Sequence, residues 1–528
     1  MIPSFQARGG RAMAGTVKEL YAEGQTDYSL APIVLEDGKG NPIGRIKDHD
    51  GVIFCCRRGE REIQLTEAFV EPQTGNFPRQ KMDDLTFVIL TLYHEKFKDL
   101  PVAFAPTKIQ DTLGEVISKA GLRQLRVSES EKFAHVTFFF NGGNNQPFAR
   151  EDDVRIPSPR GVPFDTVPGL SLDAVAEKVI QGVQEGYDLI VTNFANGDVI
   201  GHTSNNEAKI RCAEIVDGQL GRVVEEARKV GYVILVTADH GNLEEMTNPD
   251  GTPNVSHTDN PVPLILIDGR AKKDVKLFSG RLADIAPTIL NLLGCAKAKT
   301  MEGTNLAPEY KGTPKRKVLL IILDGWGIGK EDNTNPIFLA KTPVWDNLIK
   351  TNPPSTLQAA GEAVGLKAGK AGNSEAGHIN MGAGRVVLQD DVRLDRAMQD
   401  GSFETNEIFL QTIQKVKLSH SNLHLIALLT EKSSHGAIDY PLALLKMAKS
   451  AGLENVYVHV IFDGRSTEPG SAPALLEKLD NLINEIGLGM IVSGIGRGIA
   501  LDRDGDYSKT KKAYNLLVKG EGRKCPLE

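Results

Sequence analysis

The first candidate for chemistry is an aspartate that directly follows a predicted buried strand. Residues 318–327 read VLLIILDGWG, and the uninterrupted aliphatic run ends at Asp324. Runs of this kind are typical of parallel strands covered on both faces. Because α/β enzymes bind their ligands at the carboxyl edge of such sheets, the pattern predicts that Asp324 stands at this edge. Its carboxylate could bind a metal ion there.

Three other segments carry further groups that could do chemistry. AGNSEAGH (371–378) places a serine beside glycines, which suits an accessible nucleophile, and TADHGN (237–242) and SHTDNPVP (256–263) supply carboxylates and imidazoles. In NFANGDVIGHT, Asp198 and His202 are spaced four apart, so a helix would put both on one face. Mixed aspartate and histidine ligands fit Mn²⁺ or Zn²⁺ better than Ca²⁺ or Mg²⁺. Two such ions suit phosphoryl transfer.

Composition excludes several classes of protein. With 528 residues, 41% of them hydrophobic and 24% charged, the chain is expected to form a globular protein of two or more domains. A net charge of −7 gives no support for binding nucleic acid or a membrane, and no apolar run approaches the roughly 20 residues that span a bilayer. The five cysteines lack zinc spacing. They are predicted to be thiols in a reducing compartment, so we expect a cytoplasmic protein.

Short apolar runs alternate with amphipathic stretches along most of the chain. YDLIVTNF (187–194) and YVILVTAD (232–239) are predicted strands, and SLDAVAEKVIQGVQEG (171–186) is a predicted helix. This alternation predicts an α/β fold of two domains with parallel-rich sheets flanked by helices. Residues 295–317 carry glycine, proline and lysines without a periodic apolar face, which predicts a linker.

Taken together, the LDGWG, AGNSEAGH, TADHGN and SHTDNPVP segments resemble cofactor-independent phosphoglycerate mutase, a family of the alkaline phosphatase superfamily. The resemblance covers nearly the whole chain but in circularly permuted order, because family members normally begin with the LDGWG strand. It implies an alkaline-phosphatase-like, metal-binding domain over 107–388, within which the linker 295–317 joins the two ancestral ends. It also implies a transferase-like domain assembled from 1–106 and 389–528.

The resemblance further implies two metal sites and a catalytic serine. The ligands implied for the first ion are Asp198, His202 and His257, and those for the second are Asp239, His240, Asp324 and Ser374. Ser374 would be both a ligand and the nucleophile, and Lys132 in EKFAHVTFF is similar to a lysine that the family places near the nucleophile and the phosphate. The implied cofactors are two divalent ions, with Mn²⁺ expected and Zn²⁺ or Co²⁺ as alternatives.

The implied substrate, phosphoglycerate, carries a phosphate and a carboxylate, which arginine side chains bind well. The implied substrate-binding residues are Arg58, Arg61, Lys132, His435, Arg465, Ser466, Arg497 and Arg503. Two motifs depart from the family pattern: TEKSSHGA (430–437) replaces SDGGVHSH, and DGRS replaces DGRD. Ser466 thus stands where the family has an aspartate proposed to handle the proton of the glycerate hydroxyl. General acid–base catalysis of that kind raises a reaction rate about 10²–10⁴-fold. This chain therefore departs from the family in the residues that handle the glycerate hydroxyl.

The activity implied is that of a glycolytic and gluconeogenic isomerase. It would interconvert 3-phosphoglycerate and 2-phosphoglycerate through a phosphoserine, as a monomer, without requiring 2,3-bisphosphoglycerate. Two alternatives stay open. A metal-dependent phosphatase would discharge the same phosphoserine to water, and the altered glycerate-side motifs favour it. A non-catalytic relative would only bind a phosphometabolite, and the seven matching metal ligands argue against it.

Overall fold

The computed structural model describes residues 8–57, 61–71, 76–80, 82–106, 109–268, 276–310, 316–433 and 435–527. The chain divides into two compact units. The first unit comprises Met1–Pro106 and Arg393–Glu528, and the second comprises Thr107–Val392. Each unit has a parallel-rich sheet with helices packed on it, so the predicted α/β fold class is confirmed.

The strands of the described residues are β1 (Ile33–Glu36), β2 (Gly51–Phe54), β3 (Thr86–Thr91), β4 (Val102–Phe104), β5 (Gln124–Glu129), β6 (Glu151–Ile156), β7 (Leu189–Phe194), β8 (Val233–Thr237), β9 (Val262–Asp268), β10 (Gly280–Arg281), β11 (Val318–Leu323), β12 (Ser355–Gln358), β13 (Leu423–Leu429), β14 (Val456–Phe462), β15 (Met490–Gly496) and β16 (Arg523–Pro526). The helices are α1 (Gly10–Ala22), α2 (Ile63–Val70), α3 (Leu113–Lys119), α4 (Leu172–Glu185), α5 (Asn196–Gly201), α6 (Asn206–Lys229), α7 (Ile285–Leu292), α8 (Pro336–Leu339), α9 (Pro343–Thr351), α10 (Ser374–Ala383), α11 (Asp390–Asp400), α12 (Glu407–Ser419), α13 (Asp439–Ser450), α14 (Ala472–Ile486), α15 (Arg497–Ala500) and α16 (Tyr507–Lys519).

The sheet of the second unit is built around β11. Its order is β10-β12-β9-β8-β11-β7-β5-β6, in which β8, β11, β7, β5 and β6 are parallel neighbours and β9 runs antiparallel to β8 and β12. No residue of β11 is more than 1% exposed. A strand buried on both faces needs apolar side chains at every position, which explains its continuous aliphatic sequence.

Helices of the second unit begin and end where local signals predict. The side chain of Asn205 accepts a hydrogen bond from the amide of Ala208 and caps α6, and α4 ends at Gly186, whose φ of 77° is left-handed. Along α6, Cys212, Val216, Leu220 and Val223 recur at helical spacing and are buried in the core. These contacts hold the helices against the sheet and thereby fix the ends of its strands.

The first unit has its own sheet, in the order β16-β1-β15-β14-β13-β2-β3-β4. The six strands from β15 to β4 are parallel, so their carboxyl ends lie along one edge, whereas β1 runs antiparallel to β15. Residues 295–310 and 316–317, the described part of the predicted linker, contain no helix or strand. Among the described helices, none combines the length and apolar character that crossing a membrane requires.

Candidate metal centre

The candidate site lies at the carboxyl edge of the parallel strands of the second unit. Asp324 follows β11, Asp239 and His240 follow β8, and Asp198 lies in α5 just after β7. Because β11 pairs with both β7 and β8 in parallel register, these three strand ends are neighbours. The side chains therefore converge although up to 126 positions of sequence separate them.

Ser374 enters this site as the first residue of α10. Asn373 caps the helix by accepting a hydrogen bond from the amide of Ala376. At Gly377, one turn into the helix, an added Cβ would lie 2.6 Å from the carbonyl oxygen of Asp239, so glycine lets α10 approach the end of β8 closely. The amino end of a helix favours negative charge. The position of Ser374 therefore suits a group that bears negative charge.

Lys132 links the serine to two carboxylates. Its Nζ lies 2.6 Å from Ser374 Oγ, 2.5 Å from Asp198 Oδ2 and 3.1 Å from Asp324 Oδ1. Burial disfavours the charged amine, but Asp324, Asp198 and Asp239 together raise the pKa of Lys132 above its ordinary value. Lys132 is therefore protonated and donates hydrogen bonds. It can stabilise negative charge on Ser374 Oγ or on a phosphate bound there.

One set of candidate metal-ligand atoms comprises His202 Nε2, His257 Nε2 and Asp198 Oδ1. The three mutual distances are 3.0 Å between the imidazoles, 3.0 Å from His257 to Asp198 and 3.2 Å from His202 to Asp198. Their other ring nitrogens contact the carbonyl oxygens of Val255 and Gly372. Such backbone partners orient a ligating imidazole, and metal bonds of about 2.0–2.2 Å bring ligand atoms about this close together. The residues present fit a divalent ion.

The second set comprises Asp239, His240, Asp324 and Ser374. His240 Nε2 lies 2.9 Å from Ser374 Oγ, 3.4 Å from Asp324 Oδ1 and 3.6 Å from Asp239 Oδ2. Asp239 Oδ2 is buried and makes no hydrogen bond of regular geometry to a described residue, although His378 Nδ1 lies 3.3 Å from it. A buried carboxylate oxygen that is so weakly satisfied suits a bound cation. His240 also lies 3.7 Å from Asp198 Oδ1, so it is within reach of both ligand sets.

The carboxylates shift the pKa of the imidazoles. Burial disfavours a charged ring at His240, but Asp239, Asp324 and Asp198 raise its pKa from 6.5 to about 10. The pKa of His202 is likewise raised by the hydrogen bond between His202 and Asp198. Without a metal ion, His240 therefore holds a proton at neutral pH. A metal ion that takes Nε2 must displace this proton.

This exchange predicts a pH-dependent effect of the metal ion on stability. The folded-state pKa of His240 is raised, so its proton stabilises the metal-free protein fully below pH 6.5, and this stabilisation is lost as the pH rises toward 10. The affinity for the metal ion rises over the same pH range, because protons compete less with the ion for His240 Nε2. We expect the increase in Tm caused by a fixed concentration of free Mn²⁺ to grow from pH 6 to pH 8, measured by thermal unfolding. An increase in Tm that is constant or shrinks with pH would contradict this linkage.

A buried glutamate ties together the loops that carry the ligands. Glu244 Oε2 accepts hydrogen bonds from the amides of Asn242 (2.8 Å) and Gly327 (3.0 Å), and Oε1 accepts one from Asn260 Nδ2 at 2.9 Å. Gly325, directly after Asp324, has a φ of 72°, and a Cβ there would lie 2.8 Å from the amide nitrogen of Asp198. The turn of LDGWG thus requires glycine both for its conformation and for this close approach.

Sequence reasoning missed three polar residues that contact the candidate ligands. His378 Nδ1 lies 3.3 Å from Asp239 Oδ2, Asn193 Nδ2 donates to Asp324 Oδ2 at 2.6 Å, and Asn242 Nδ2 donates to Asp198 Oδ1 at 3.1 Å. His378 had a sequence signal, because it follows Ser374 by four positions on one helix. For the asparagines the signal was only their place, with Asn193 in the last part of β7 and Asn242 in the loop after β8.

The first unit holds the other residues predicted for the substrate. Arg61 is buried and donates to the carbonyl oxygen of Leu501 at 3.2 Å, and Arg497 is buried and donates to Asp463 Oδ1 at 2.5 Å. The other predicted residues of this set differ from these two arginines in burial. His435 is half-buried, Arg465, Ser466 and Arg503 are exposed, and Arg58 lies outside the described residues.

The carboxyl edge of this parallel-rich sheet brings together three aspartates, three histidines, a lysine and a serine. Such a set of side chains is typical of metal-dependent enzymes. The chain belongs to the Metalloenzyme superfamily, because the model of that family matches residues 29–297, just over half of its length. A second model, described as the BPG-independent PGAM N-terminus, matches residues 394–527.

Several curated proteins are similar to this chain over part of their length. The 2,3-bisphosphoglycerate-independent phosphoglycerate mutase 1 of Methanosarcina barkeri is 44% identical over 292 residues, which are 55% of this chain and 56% of that protein. The 2,3-bisphosphoglycerate-independent phosphoglycerate mutase of Syntrophotalea carbinolica is 45% identical over 296 residues, 56% of this chain and 57% of that protein. The chain thus spans about half the length of the curated relatives it matches.

A solved structure, that of Leishmania mexicana phosphoglycerate mutase at low cobalt concentration, is 29% identical to the chain. The match covers 51% of this chain and 53% of that one, with a TM-score of 0.39.

Proposed function

We propose that the chain is a 2,3-bisphosphoglycerate-independent phosphoglycerate mutase that interconverts 3-phosphoglycerate and 2-phosphoglycerate. The observation that carries the proposal is the hydroxyl of Ser374, which lies within 2.9 Å of both Lys132 Nζ and His240 Nε2 beside converging carboxylates. The names of the curated relatives support the choice of substrate.

In the proposed reaction, Ser374 Oγ loses its proton and forms a bond to the phosphorus, while the bond between phosphorus and the glycerate oxygen breaks and that oxygen gains a proton. Lys132 donates a hydrogen bond to Oγ and offsets the charge of the transferred group. The two ligand sets would hold two divalent ions, which would neutralise phosphate oxygens. The mixed set of donors favours Mn²⁺, with Zn²⁺ or Co²⁺ as alternatives. The other glycerate hydroxyl then loses its proton and takes the phosphoryl group, and Ser374 Oγ regains a proton as the bond from Oγ to phosphorus breaks.

The order of the two matched regions supports a circular permutation. The model described as an N-terminus matches residues 394–527, which follow the Metalloenzyme match at 29–297 along the chain. We propose that the second unit is the phosphatase-like domain and that the first is the transferase-like domain, assembled from two segments. In this arrangement, residues 295–317 join the ancestral ends. We also propose that the protein is a monomer and that it acts in the cytoplasm.

One observation favours a second candidate, a metal-dependent phosphatase. Ser466 stands where the family has an aspartate, so the glycerate side lacks one group for proton transfer. An enzyme that forms the phosphoserine but transfers it poorly to a hydroxyl would lose it to water. The two candidates therefore differ in the ratio of isomerisation to phosphate release.

The test is incubation of the Mn²⁺-loaded protein with 3-phosphoglycerate in the absence of 2,3-bisphosphoglycerate. We expect 2-phosphoglycerate to form at least ten times faster than free phosphate. Release of phosphate with little 2-phosphoglycerate would establish the phosphatase instead. If neither product forms while Mn²⁺ raises the Tm, the chain is a non-catalytic relative.

A further inference from the structure

A buried amide and a buried imidazole lie between two candidate ligands of the second unit, Asp239 and Asp324. Asn193 is in the last part of β7, and His378 follows Ser374 by one turn of α10. Asn193 Nδ2 lies 2.6 Å from Asp324 Oδ2 and 3.1 Å from His378 Nε2. At the other end, His378 Nδ1 lies 3.3 Å from Asp239 Oδ2. Asn193 and His378 therefore connect the two carboxylates, and we call this pair the Asn193–His378 bridge.

The orientation of the Asn193 amide follows from its neighbours. The reverse orientation would place two oxygens, Asn193 Oδ1 and Asp324 Oδ2, 2.6 Å apart in a place closed to solvent. Nδ2 therefore faces Asp324 and donates one hydrogen bond to it, and the second N–H group of Nδ2 is available to His378 Nε2. Because an amide nitrogen only donates, Nε2 of His378 must be the acceptor.

This hydrogen bond determines which ring nitrogen of His378 carries the proton. A neutral imidazole has one donor and one acceptor nitrogen, so a ring that accepts at Nε2 donates at Nδ1. Nδ1 lies 2.8 Å from the carbonyl oxygen of Ser374 and 3.3 Å from Asp239 Oδ2, and these two oxygens share its proton. The ring of His135 packs against that of His378 with the centroids 5.4 Å apart. The imidazole is therefore held in one tautomer and one orientation.

The bridge leaves one oxygen of Asp324 to the candidate metal site. Oδ2 accepts the hydrogen bond from Asn193, whereas Oδ1 lies 3.4 Å from both His240 Nε2 and Ser374 Oγ. Rotation of the carboxylate would break the bond to Asn193 and leave a buried amide unpaired, which is unfavourable. Asp324 is thus fixed with Oδ1 toward the other members of the second ligand set.

We propose that Asn193 and His378 are positioning residues that set the affinity of the second ligand set for its divalent cation. The inference rests on the two metal sites of the proposed function and deepens it. Asn193 holds Asp324 and His378 holds Asp239, so the two carboxylates are already in place when the cation arrives. Residues that contact a ligand without touching the ion typically change the metal affinity about 10- to 100-fold.

The bridge acts on only one of the two ligand sets. In the part of the chain that the structure describes, neither of its side chains forms a hydrogen bond with Asp198, His202 or His257. The first set has a separate amide contact, because Asn242 Nδ2 donates to Asp198 Oδ1 at 3.1 Å. An effect on one ion alone therefore distinguishes positioning from a general loss of structure.

The test titrates the metal-free full chain with Mn²⁺ and measures both affinities by calorimetry. Asn193→Leu keeps the approximate size of the side chain and removes its donor. We expect this variant to bind the ion of the first set as the wild type does, and the ion of the second set about 10- to 100-fold more weakly. Thr192→Val is the matched control, because Thr192 Oγ1 is buried in the same strand without a hydrogen-bond partner among the described residues. Its affinities should equal those of the wild type.

His378→Gln tests the other end of the bridge. The glutamine oxygen can accept from Asn193, but no donor remains in the place of Nδ1, so the affinity of the second set should fall about tenfold. Because the two residues act as one unit, combining Asn193→Leu with His378→Gln should weaken binding no further than the weaker single variant does. Saturating Mn²⁺ should restore most of kcat for isomerisation in each variant, because the bridge acts through metal binding.

The Tm of the metal-free protein shows whether each variant is folded. A folded Asn193→Leu with both wild-type affinities overturns the inference, and so does an equal loss at both ligand sets. If Asn193→Leu does not fold, unchanged affinities in His378→Gln decide against the inference instead, and additive losses in the combined variant contradict the bridge. A wild type that binds fewer than two ions overturns the metal sites and this inference together. Failure of the wild type to form 2-phosphoglycerate overturns the proposed function alone, because the affinities decide the inference without turnover.

Discussion

Replacing Ser374 with alanine is expected to abolish turnover, lowering kcat by about 10⁶-fold, the scale of loss seen when an enzyme loses a nucleophilic serine. The physical reason is that Lys132 and His240 converge on Oγ, and no other described hydroxyl takes its place between them. Both 2-phosphoglycerate formation and phosphate release should disappear together. A water molecule that attacked the phosphorus in place of Oγ would react slowly, because it lacks the fixed position that Oγ has at the start of α10.

Two measurements accompany this variant. Mass spectrometry of the wild type, quenched with 3-phosphoglycerate, should find phosphate on the peptide that contains Asn373 and Ser374. Ser118→Ala, a half-buried serine of α3, is the matched control and should retain normal turnover. Phosphate trapped on a different residue, or an active Ser374→Ala, would rule out this mechanism.

Replacing Asp324 with asparagine is expected to reduce metal binding and lower turnover by about 10³-fold. Asp324 Oδ1 lies 3.1 Å from Lys132 Nζ and 3.4 Å from both His240 Nε2 and Ser374 Oγ, so it stands at the centre of the second ligand set. A neutral amide is a weak metal ligand. A metal ion that acts as a Lewis acid lowers the activation free energy by several kcal/mol, and each 1.4 kcal/mol changes the rate about tenfold.

The measurement is the metal content of the purified protein together with kcat. We expect the wild type to hold two ions per chain and Asp324→Asn to hold fewer. Asp250→Asn, in an exposed turn where the carboxylate only accepts hydrogen bonds from Thr252, should leave both values unchanged. An Asp324→Asn protein with a full metal content and normal turnover would show that this carboxylate is not a ligand.

Features that depend on neighbouring residues could be predicted from the sequence. The aliphatic run of β11 indicated a strand buried on both faces, and the alternation of strands with helices indicated the α/β class, which is confirmed. The spacing of Asp198 and His202 indicated a helical turn, and the two residues lie in and directly after α5. Periodicity and local spacing carry this information because they act over a few positions.

Features that depend on distant parts of the chain needed the tertiary structure. Glu62 belongs to no motif, and only the structure shows that it is fully buried and lies 3.6 Å from His435, which is hundreds of positions away in the sequence. Arg465 and Ser466 were predicted together with Arg497, yet Arg497 is buried and paired with Asp463 while the other two are exposed. Local sequence does not encode these differences in burial.

The sequence by itself determined which residue types stand at the ends of the strands, and so the class of chemistry open to the chain. The tertiary structure alone decided which of those residues meet. Lys132, Asp198, Asp324 and Ser374 come within hydrogen-bond distance only because β5, β7 and β11 are parallel neighbours and α10 packs across their carboxyl ends. Strand order is set by the packing of whole elements around one core, and no short segment of sequence contains that information.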